Sequence, residues 1–220
     1  MVTFWSWPAS EEKAPSVPTD LQVIAMTGDR YSCIDELRQH EEQGRDFAIT
    51  TVRRAASTCL ILAPHGGGIE HGTSDIARAI AGEDFNLYLF EGIKAKGNAG
   101  LHVTSSRFDE QSCLEILSAC DFVLAIHGCK GEDERVLLGG LHRTMKREIS
   151  DSLQTHGVNI ESSGHRYPAT DPMNICNRGR MRQGVQLEIS APLRRSPNRH
   201  RVVDAVRAAL LAREPGANSS

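Results

Sequence analysis

The sequence lacks the features that mark disulfide-rich, membrane-spanning and general nucleic-acid-binding proteins. Its six cysteines form no C-x-x-C pair, so we expect reduced, mostly buried thiols. No apolar run approaches the roughly 18 residues that cross a bilayer, and we expect neither a membrane partner nor a signal peptide. The net charge is −3, whereas a nucleic-acid binder carries a strong basic excess. These absences predict a protein that is cytoplasmic as synthesised.

What the sequence does contain is a regular alternation of short apolar runs and helical patterns. Its 220 residues are enough for a sizeable core. The alternation predicts one α/β domain over residues 19–213, with a mixed central β-sheet flanked by helices. A proline-rich segment at 1–18 predicts a flexible N-terminal tail, and a Pro/Gly/Ser-rich segment at 214–220 predicts a disordered C-terminal tail.

Periodicity and capping residues place the elements within this domain. A first helix is expected to begin at Asp29 or Ser32 and to end at Gly44, and later ones are expected to begin at Thr73 or Ser74 and at Asp109. Two further helices are predicted at 141–156 and 197–212. Strands are predicted at 47–52, 59–63, 87–90, 101–104, 121–126 and 185–190, with a long loop at 161–184.

Two of the predicted strands lead directly into histidines. The first is followed by His65, three glycines and Glu70, and the strand 121–126 is followed by His127. Ligands bind beyond the carboxyl ends of strands in such sheets, and the glycines give the backbone the freedom to bend Glu70 towards His65. Histidine and glutamate are ordinary zinc ligands, and three of them plus water form a catalytic site. The pattern therefore predicts a site for one zinc ion.

Other interpretations of the glycine-rich segment exist. It could be a tight turn with an incidental histidine, and that alternative stays open. The glycines could cradle a phosphate, but no Walker pattern follows them. A His-Gly-Gly-Gly segment also forms the oxyanion hole of lipases and esterases, which require a G-x-S-x-G elbow. The sequence contains no such elbow, so that class is excluded.

Glu188 is unusual within its predicted strand. The apolar residues of strand 185–190 share one face, and Glu188 shares the other with Gln186 and Ser190. A carboxylate that faces a metal site could act as general base. The alternative is a solvated polar face on an edge strand, and the sequence leaves both open.

Candidate substrate-binding residues are less specific. Long aperiodic loops are often functional, and guanidinium groups bind carboxylates in bidentate fashion. One of the loop arginines, Arg178, Arg180 or Arg182, could therefore hold an acidic substrate, and Arg107 is a further candidate. His102 could line the cleft. Each of these residues could equally serve only at the surface. Cys129 lies close to His127, but a packed, inert thiol is favoured over a nucleophile.

A series of motifs is spread over roughly residues 28–210. The motifs are residues 64–70 with 72–74, then 88–92, 101–105, 108–110, 126–129, 138–140, 174–179 and 184–190. Together they resemble the phage-type poly-γ-glutamate hydrolases, and their order along the chain is more specific than any single motif. One departure is His71, where the family is expected to have a proline.

The resemblance implies a fold like that of zinc carboxypeptidases of the carboxypeptidase A type. It implies His65, Glu70 and His127 as the zinc ligands and Glu188 as the catalytic glutamate. It also implies that Arg178, with Asn177, contacts a substrate carboxylate or the oxyanion.

The function implied is zinc-dependent hydrolysis of γ-glutamyl amide bonds, with poly-γ-glutamate as substrate. Alternatives are a related metallo-amidase acting on other γ-linked peptides, such as peptidoglycan fragments, and a non-catalytic capsule-binding module. We expect a monomer and, if the chain is phage-encoded, release by lysis.

Overall fold

Seven strands form one mixed β-sheet in a computed structural model that describes residues 28–213. The predicted tails at 1–18 and 214–220 lie outside the described residues. The prediction of one domain with a mixed sheet flanked by helices is confirmed. The strands are β1 (Phe47–Val52), β2 (Cys59–Gly67), β3 (Asn86–Gly92), β4 (Phe122–Cys129), β5 (Val136–Gly139), β6 (Ile160–Glu161) and β7 (Val185–Ser190).

Six α-helices accompany the sheet within the described residues, and none of them has the length and apolar character needed to cross a membrane. Two 3-10 turns, Asn98–Leu101 and Ile175–Asn177, add to them. The helices are α1 (Ile34–Leu37), α2 (Thr73–Ala81), α3 (Gln111–Ala119), α4 (Arg143–Thr155), α5 (Ala191–Arg195) and α6 (Arg199–Leu211).

The order of the strands is β1-β3-β2-β4-β7-β5-β6. Strands β3, β2, β4 and β7 are parallel to one another, while β1 and β5 run antiparallel to their neighbours β3 and β7. Helices α2, α4 and α6 cover one face of the sheet, and α1 and α3 contribute to the core on the other. The central strands are therefore buried on both faces, as is usual for parallel sheets.

Several predicted element ends were wrong because tertiary contacts override local capping patterns. Helix α1 has only four residues and is capped by Cys33 rather than by Asp29 or Ser32. Helix α2 is capped by Gly72 in a left-handed conformation, not by Thr73 or Ser74.

Two other errors concern residues 101–110. The predicted strand at 101–104 is not a strand, because the 3-10 turn occupies its start and the next residues are drawn to Asp29. The cap of α3 is Glu110, while Asp109 accepts a hydrogen bond from the Ile34 N–H.

The sheet also differs from the prediction near β7. Strand β7 is central, between β4 and β5, and all six of its residues are buried. The interpretation of Glu188 as part of a solvated edge face is therefore wrong. Strand β5, which supplies the neighbour on one side, was not predicted.

Candidate metal site

The carboxyl ends of β2 and β4 carry the two histidines. His65 and His127 both lie within the strands rather than after them, because β2 and β4 extend further than their apolar runs. The register of β2 against β3 shifts between Ala63 and Gly66, and the pairing of β2 with β4 stops at Leu62. The two strands thus separate at their carboxyl ends, and a crevice opens between them that both histidines face.

Glu70 completes a three-residue cluster with His65 and His127. One donor atom from each side chain lies within 4.8 Å of the others. The two Nδ1 atoms are 3.1 Å apart, and the Glu70 carboxylate oxygens lie 3.3 Å from His65 Nδ1 and 3.8 Å from His127 Nδ1. Ligands held at 2.0–2.2 Å around a tetrahedral zinc ion are separated by about 3.3–3.6 Å. The spacing of this cluster therefore fits a single zinc ion.

Neighbouring groups orient each member of the cluster. His65 Nε2 lies 2.8 Å from the Val103 carbonyl oxygen, which can only accept, so the ring proton is on Nε2 and Nδ1 faces the cluster. His127 Nε2 lies 3.3 Å from the Ser105 hydroxyl. The Gly128 N–H donates to Glu70 Oε2 at 2.7 Å. Such outer contacts fix ring orientation and tautomer at metal sites.

Burial and mutual charge set the protonation of the cluster. Burial lowers the pKa of His127 to about 3, and the nearby His65 adds to this. Burial opposes ionisation of Glu70, but attraction to His65 and their hydrogen bond outweigh it and hold the pKa of Glu70 at about 2. Burial opposes the charging of His65, but attraction to Glu70 and their hydrogen bond outweigh it and raise the pKa of His65. Metal binds a neutral imidazole and an ionised carboxylate, so a bound metal ion would displace a proton from His65 Nδ1 and meet Glu70 already ionised.

Glu188 lies beside the cluster, opposite His127 in the pairing of β4 with β7. A chain of buried amides holds its side chain. Gln186 Nε2 donates to Glu188 Oε1 at 2.9 Å, and Asn174 Nδ2 donates to Gln186 Oε1 at 3.2 Å. The Asn174 bond fixes the orientation of the Gln186 amide, so that its NH2 group points at the carboxylate.

The ionisation of Glu188 makes a prediction for the zinc-free protein. Burial, reinforced by the charge of Glu70, raises the pKa of Glu188 from 4.5 to about 8. Between these pH values the folded state holds a proton that the unfolded state has lost, so the free energy of unfolding falls as pH rises. The slope approaches about 1.4 kcal/mol per pH unit, the limit for one proton. Denaturant titrations of chelated protein from pH 5 to 8 measure it.

The matched control for this slope is Glu188→Gln, which keeps the shape of the side chain and removes its titration. We expect the difference in unfolding free energy between the two proteins to grow with pH in favour of the variant. If the free energies of unfolding of the two proteins changed with pH by the same amount, the assignment of the proton to Glu188 would be contradicted.

A cavity of about 490 Å³ surrounds the cluster and Glu188. Ser105, Lys130, Arg166 and Tyr167 are among the residues that line it. A second cavity of about 470 Å³ lies on the other side of the cluster and is lined by Arg194 and Arg195. The cluster therefore faces an open, polar cleft rather than a closed structural site.

The structure brings only one of the predicted substrate-contact residues to this cleft. His102 lines both cavities, and its ring lies 3.9 Å from that of His65 between centroids. Its Nδ1 donates to Asp29 at 2.6 Å. Arg107 also pairs with Asp29, at 2.9 Å, and within residues 28–213 it is not part of the lining of either cavity.

Asn177 and Arg178 were placed in the substrate site by the resemblance, and the structure places them elsewhere. Asn177 is buried and donates to the carbonyls of Ala169 and Asp171, so it fixes the loop that forms one wall of the cleft. Arg178 donates to the Phe108 carbonyl and lines a different surface depression. Neither side chain reaches the cluster.

Three cations near the cluster were not predicted. Lys130 follows β4 directly, so the rule that strand ends carry ligand-binding residues would have found it. Arg166 lies in the long loop that was predicted to be functional. Arg194 had no sequence signal: its buried guanidinium donates to the carbonyls of Ile189, His71 and Cys129. A Cβ on Gly128 would lie 2.5 Å from Arg194 Cζ, so only glycine leaves room there.

Comparison with known proteins relates this site to a family. A family model described as poly-gamma-glutamate hydrolase matches residues 31–204. The UPF0714 protein YndL of Bacillus subtilis (strain 168) is 35% identical over 170 residues, which cover 76% of this chain. The aligned region spans 66% of that relative, slightly under two thirds of its length.

Two solved structures share the fold. A bacteriophage poly-gamma-glutamate hydrolase superposes with a TM-score of 0.80 at 32% identity, covering 84% of this chain and 97% of the other. A zinc-free apo form of YndL superposes with a TM-score of 0.77 at 30% identity, covering 83% and 98%. The family predicted from the sequence motifs is thereby confirmed.

Proposed function

This chain belongs to the poly-gamma-glutamate hydrolase family, and from that premise we propose that it is a zinc-dependent hydrolase of γ-glutamyl amide bonds in poly-γ-glutamate. The observation that carries the proposal is the buried cluster of His65, Glu70 and His127, whose spacing fits one zinc ion and which shares a cavity with Glu188. A structural zinc site would be closed by a fourth protein ligand, whereas this one faces an open cleft.

His65, Glu70 and His127 would hold the metal, and their outer contacts would keep its ligands in position. When bound, zinc would supply Lewis acidity for the scissile carbonyl and lower the pKa of water. His65 and His127 present Nδ1, because the Val103 carbonyl and the Ser105 hydroxyl engage the other ring nitrogen. Glu70 offers a carboxylate that is ionised at every pH of interest.

Glu188 is the general base and acid of the proposed reaction. Its carboxylate accepts a proton from the attacking water and transfers it to the nitrogen of the leaving amine. Burial and the nearby Glu70 raise its pKa to about 8 in the metal-free protein, and a bound cation favours the ionised form that a base requires. Gln186 keeps the carboxylate directed into the cavity through its hydrogen bond.

The test combines metal analysis with a substrate assay. Purified full-length protein is expected to contain about one zinc per chain, since the residues offer one set of ligands. It should lower the viscosity of poly-γ-glutamate solutions, lose that activity on chelation and regain it when zinc is restored. Oligoglutamates with α-linkages serve as the control, because they carry the same charge in a different backbone.

Each failure of this test has a distinct meaning. Activity that survives complete removal of metal would contradict zinc dependence. Equal cleavage of α- and γ-linked substrates would contradict γ-linkage specificity, and cleavage of γ-linked peptidoglycan fragments in preference to the polymer would indicate the related metallo-amidase. Binding of the polymer with no cleavage by zinc-loaded protein would indicate a binding module.

A further inference from the structure

The two cavities beside the metal cluster are parts of one cleft. Five residues line both of them, so the cluster lies at their junction rather than at a closed end. We call the 490 Å³ cavity, which contains Arg166 and Glu188, the first limb, and the 470 Å³ cavity, which contains Arg195, the second limb. The shared residues are Glu70, His102, Gly128, Cys129 and Lys130.

Each limb carries an exposed cation, and Lys130 lies between them. Arg166 is held in place in the first limb: its Nε donates to the Tyr167 hydroxyl at 3.1 Å, and its guanidinium carbon lies 5.3 Å from the centre of that ring. Arg195 is the last residue of α5. Among the residues that the structure describes, none of these three cations has an ion-pair partner, whereas Arg107 is paired with Asp29 at the wall of the second limb.

The acidic groups of the cleft are already engaged. Glu70 and Glu188 belong to the catalytic cluster, and Asp29 is bound by His102 and Arg107. Asp171, at the wall of the first limb, accepts a hydrogen bond from the Met173 N–H. The protein has a net charge of −3, but Lys130, Arg166 and Arg195 create a local positive field in the cleft that attracts anions.

We propose that Arg166 and Arg195 each bind a free carboxylate of one anionic chain that passes through both limbs, with Lys130 binding at the junction. The proposal rests on the proposed function, because a γ-linked polyglutamate keeps one free α-carboxylate on every residue. Guanidinium groups match carboxylates in bidentate geometry. Arg166 and Arg195 are thus specificity-determining residues, and they take no part in the chemical step.

The test uses full-length, zinc-loaded protein and high-molecular-weight poly-γ-glutamate. Arg166→Gln and Arg195→Gln are each expected to lower kcat/KM about fivefold, through KM rather than kcat, since a partly exposed ion pair contributes about 1 kcal/mol. Independent contacts add in free energy, so the double variant should fall about 25-fold. Arg195→Lys should recover part of the loss, because it restores the charge but not the bidentate geometry, and zinc content should not change.

Arg53→Gln is the matched control, because it removes the same charge after β1, at the end of the sheet remote from the cleft. Its kcat/KM should equal that of the unmodified protein. Arg195→Gln with unchanged KM, or a loss that Arg195→Lys does not recover, would overturn the assignment. If the unmodified protein does not cleave the polymer, the proposed function itself fails. If it cleaves the polymer and substitution of Arg166 and Arg195 leaves kcat/KM unchanged, only the assignment of these two residues fails.

Discussion

His127→Ala is expected to lose bound zinc and to lower hydrolysis of poly-γ-glutamate by at least about 10³-fold. The substitution removes one of three ligands, and a catalytic metal contributes several kcal/mol of transition-state stabilisation, with each 1.36 kcal/mol worth a factor of ten. The fold should survive, because His127 contacts its neighbours mainly through His65 and the Ser105 hydroxyl. Elemental analysis measures the loss of zinc, and the viscosity assay measures the loss of hydrolysis. Thermal unfolding checks that the fold survives.

A second buried histidine provides the control for this experiment. His142 is buried and caps α4 by accepting a hydrogen bond from the Met145 N–H, away from the cleft. His142→Ala should cost about 1 kcal/mol of stability through loss of the cap and should keep both zinc and activity. Zinc retained at full occupancy by His127→Ala would rule out the proposed ligand set.

The structure brings His65, Glu70 and His127 together as the sequence predicts, because their placement follows from local patterns. Apolar runs identify β2 and β4, and the general position of ligands at strand ends links His65 with His127 across 62 residues. The glycines indicate where the chain bends towards Glu70. No side-chain contact is needed for this inference, since the parallel strands alone bring the residues to one edge.

Contacts between distant parts of the chain cannot be predicted in this way. Asp29 is separated from His102 by 73 residues, and Arg194 from His71 by 123. Nothing in the local pattern around Asp29 distinguishes a helix cap from an anchor for a histidine at the site. The same limit applies to Arg178, whose motif resembles the family while its guanidinium is turned towards the Phe108 carbonyl.

The role of Glu188 illustrates a different ambiguity. An alternating strand has the same pattern whether its polar face meets solvent or a buried site. Only the position of the strand in the sheet separates the two, and that position depends on β5, a strand that the sequence analysis does not predict. Once β7 is central, a carboxylate that is 6% exposed requires an explanation, because burying a charge without compensation is costly.

Glu188→Gln is expected to lower kcat by about 10²–10⁴-fold, the range typical for loss of a general acid–base group, with zinc content unchanged. Glutamine has nearly the same shape, and its carbonyl oxygen can accept the same hydrogen bond from Gln186. KM should change little, because the substitution removes an interaction that acts in the transition state. Single-turnover cleavage of a γ-linked oligoglutamate by zinc-loaded protein measures the chemical step directly.

Glu110→Gln distinguishes loss of a catalytic carboxylate from loss of any buried one. Glu110 is 3% exposed, pairs with Arg38 and accepts a hydrogen bond from the Tyr88 hydroxyl, and it lines neither of the two cavities beside the metal cluster. Its replacement should reduce stability and leave kcat intact. If Glu188→Gln instead turned over at the unmodified rate, the proton would have to move through another group on the cavity wall, and His102 would be the residue to replace next.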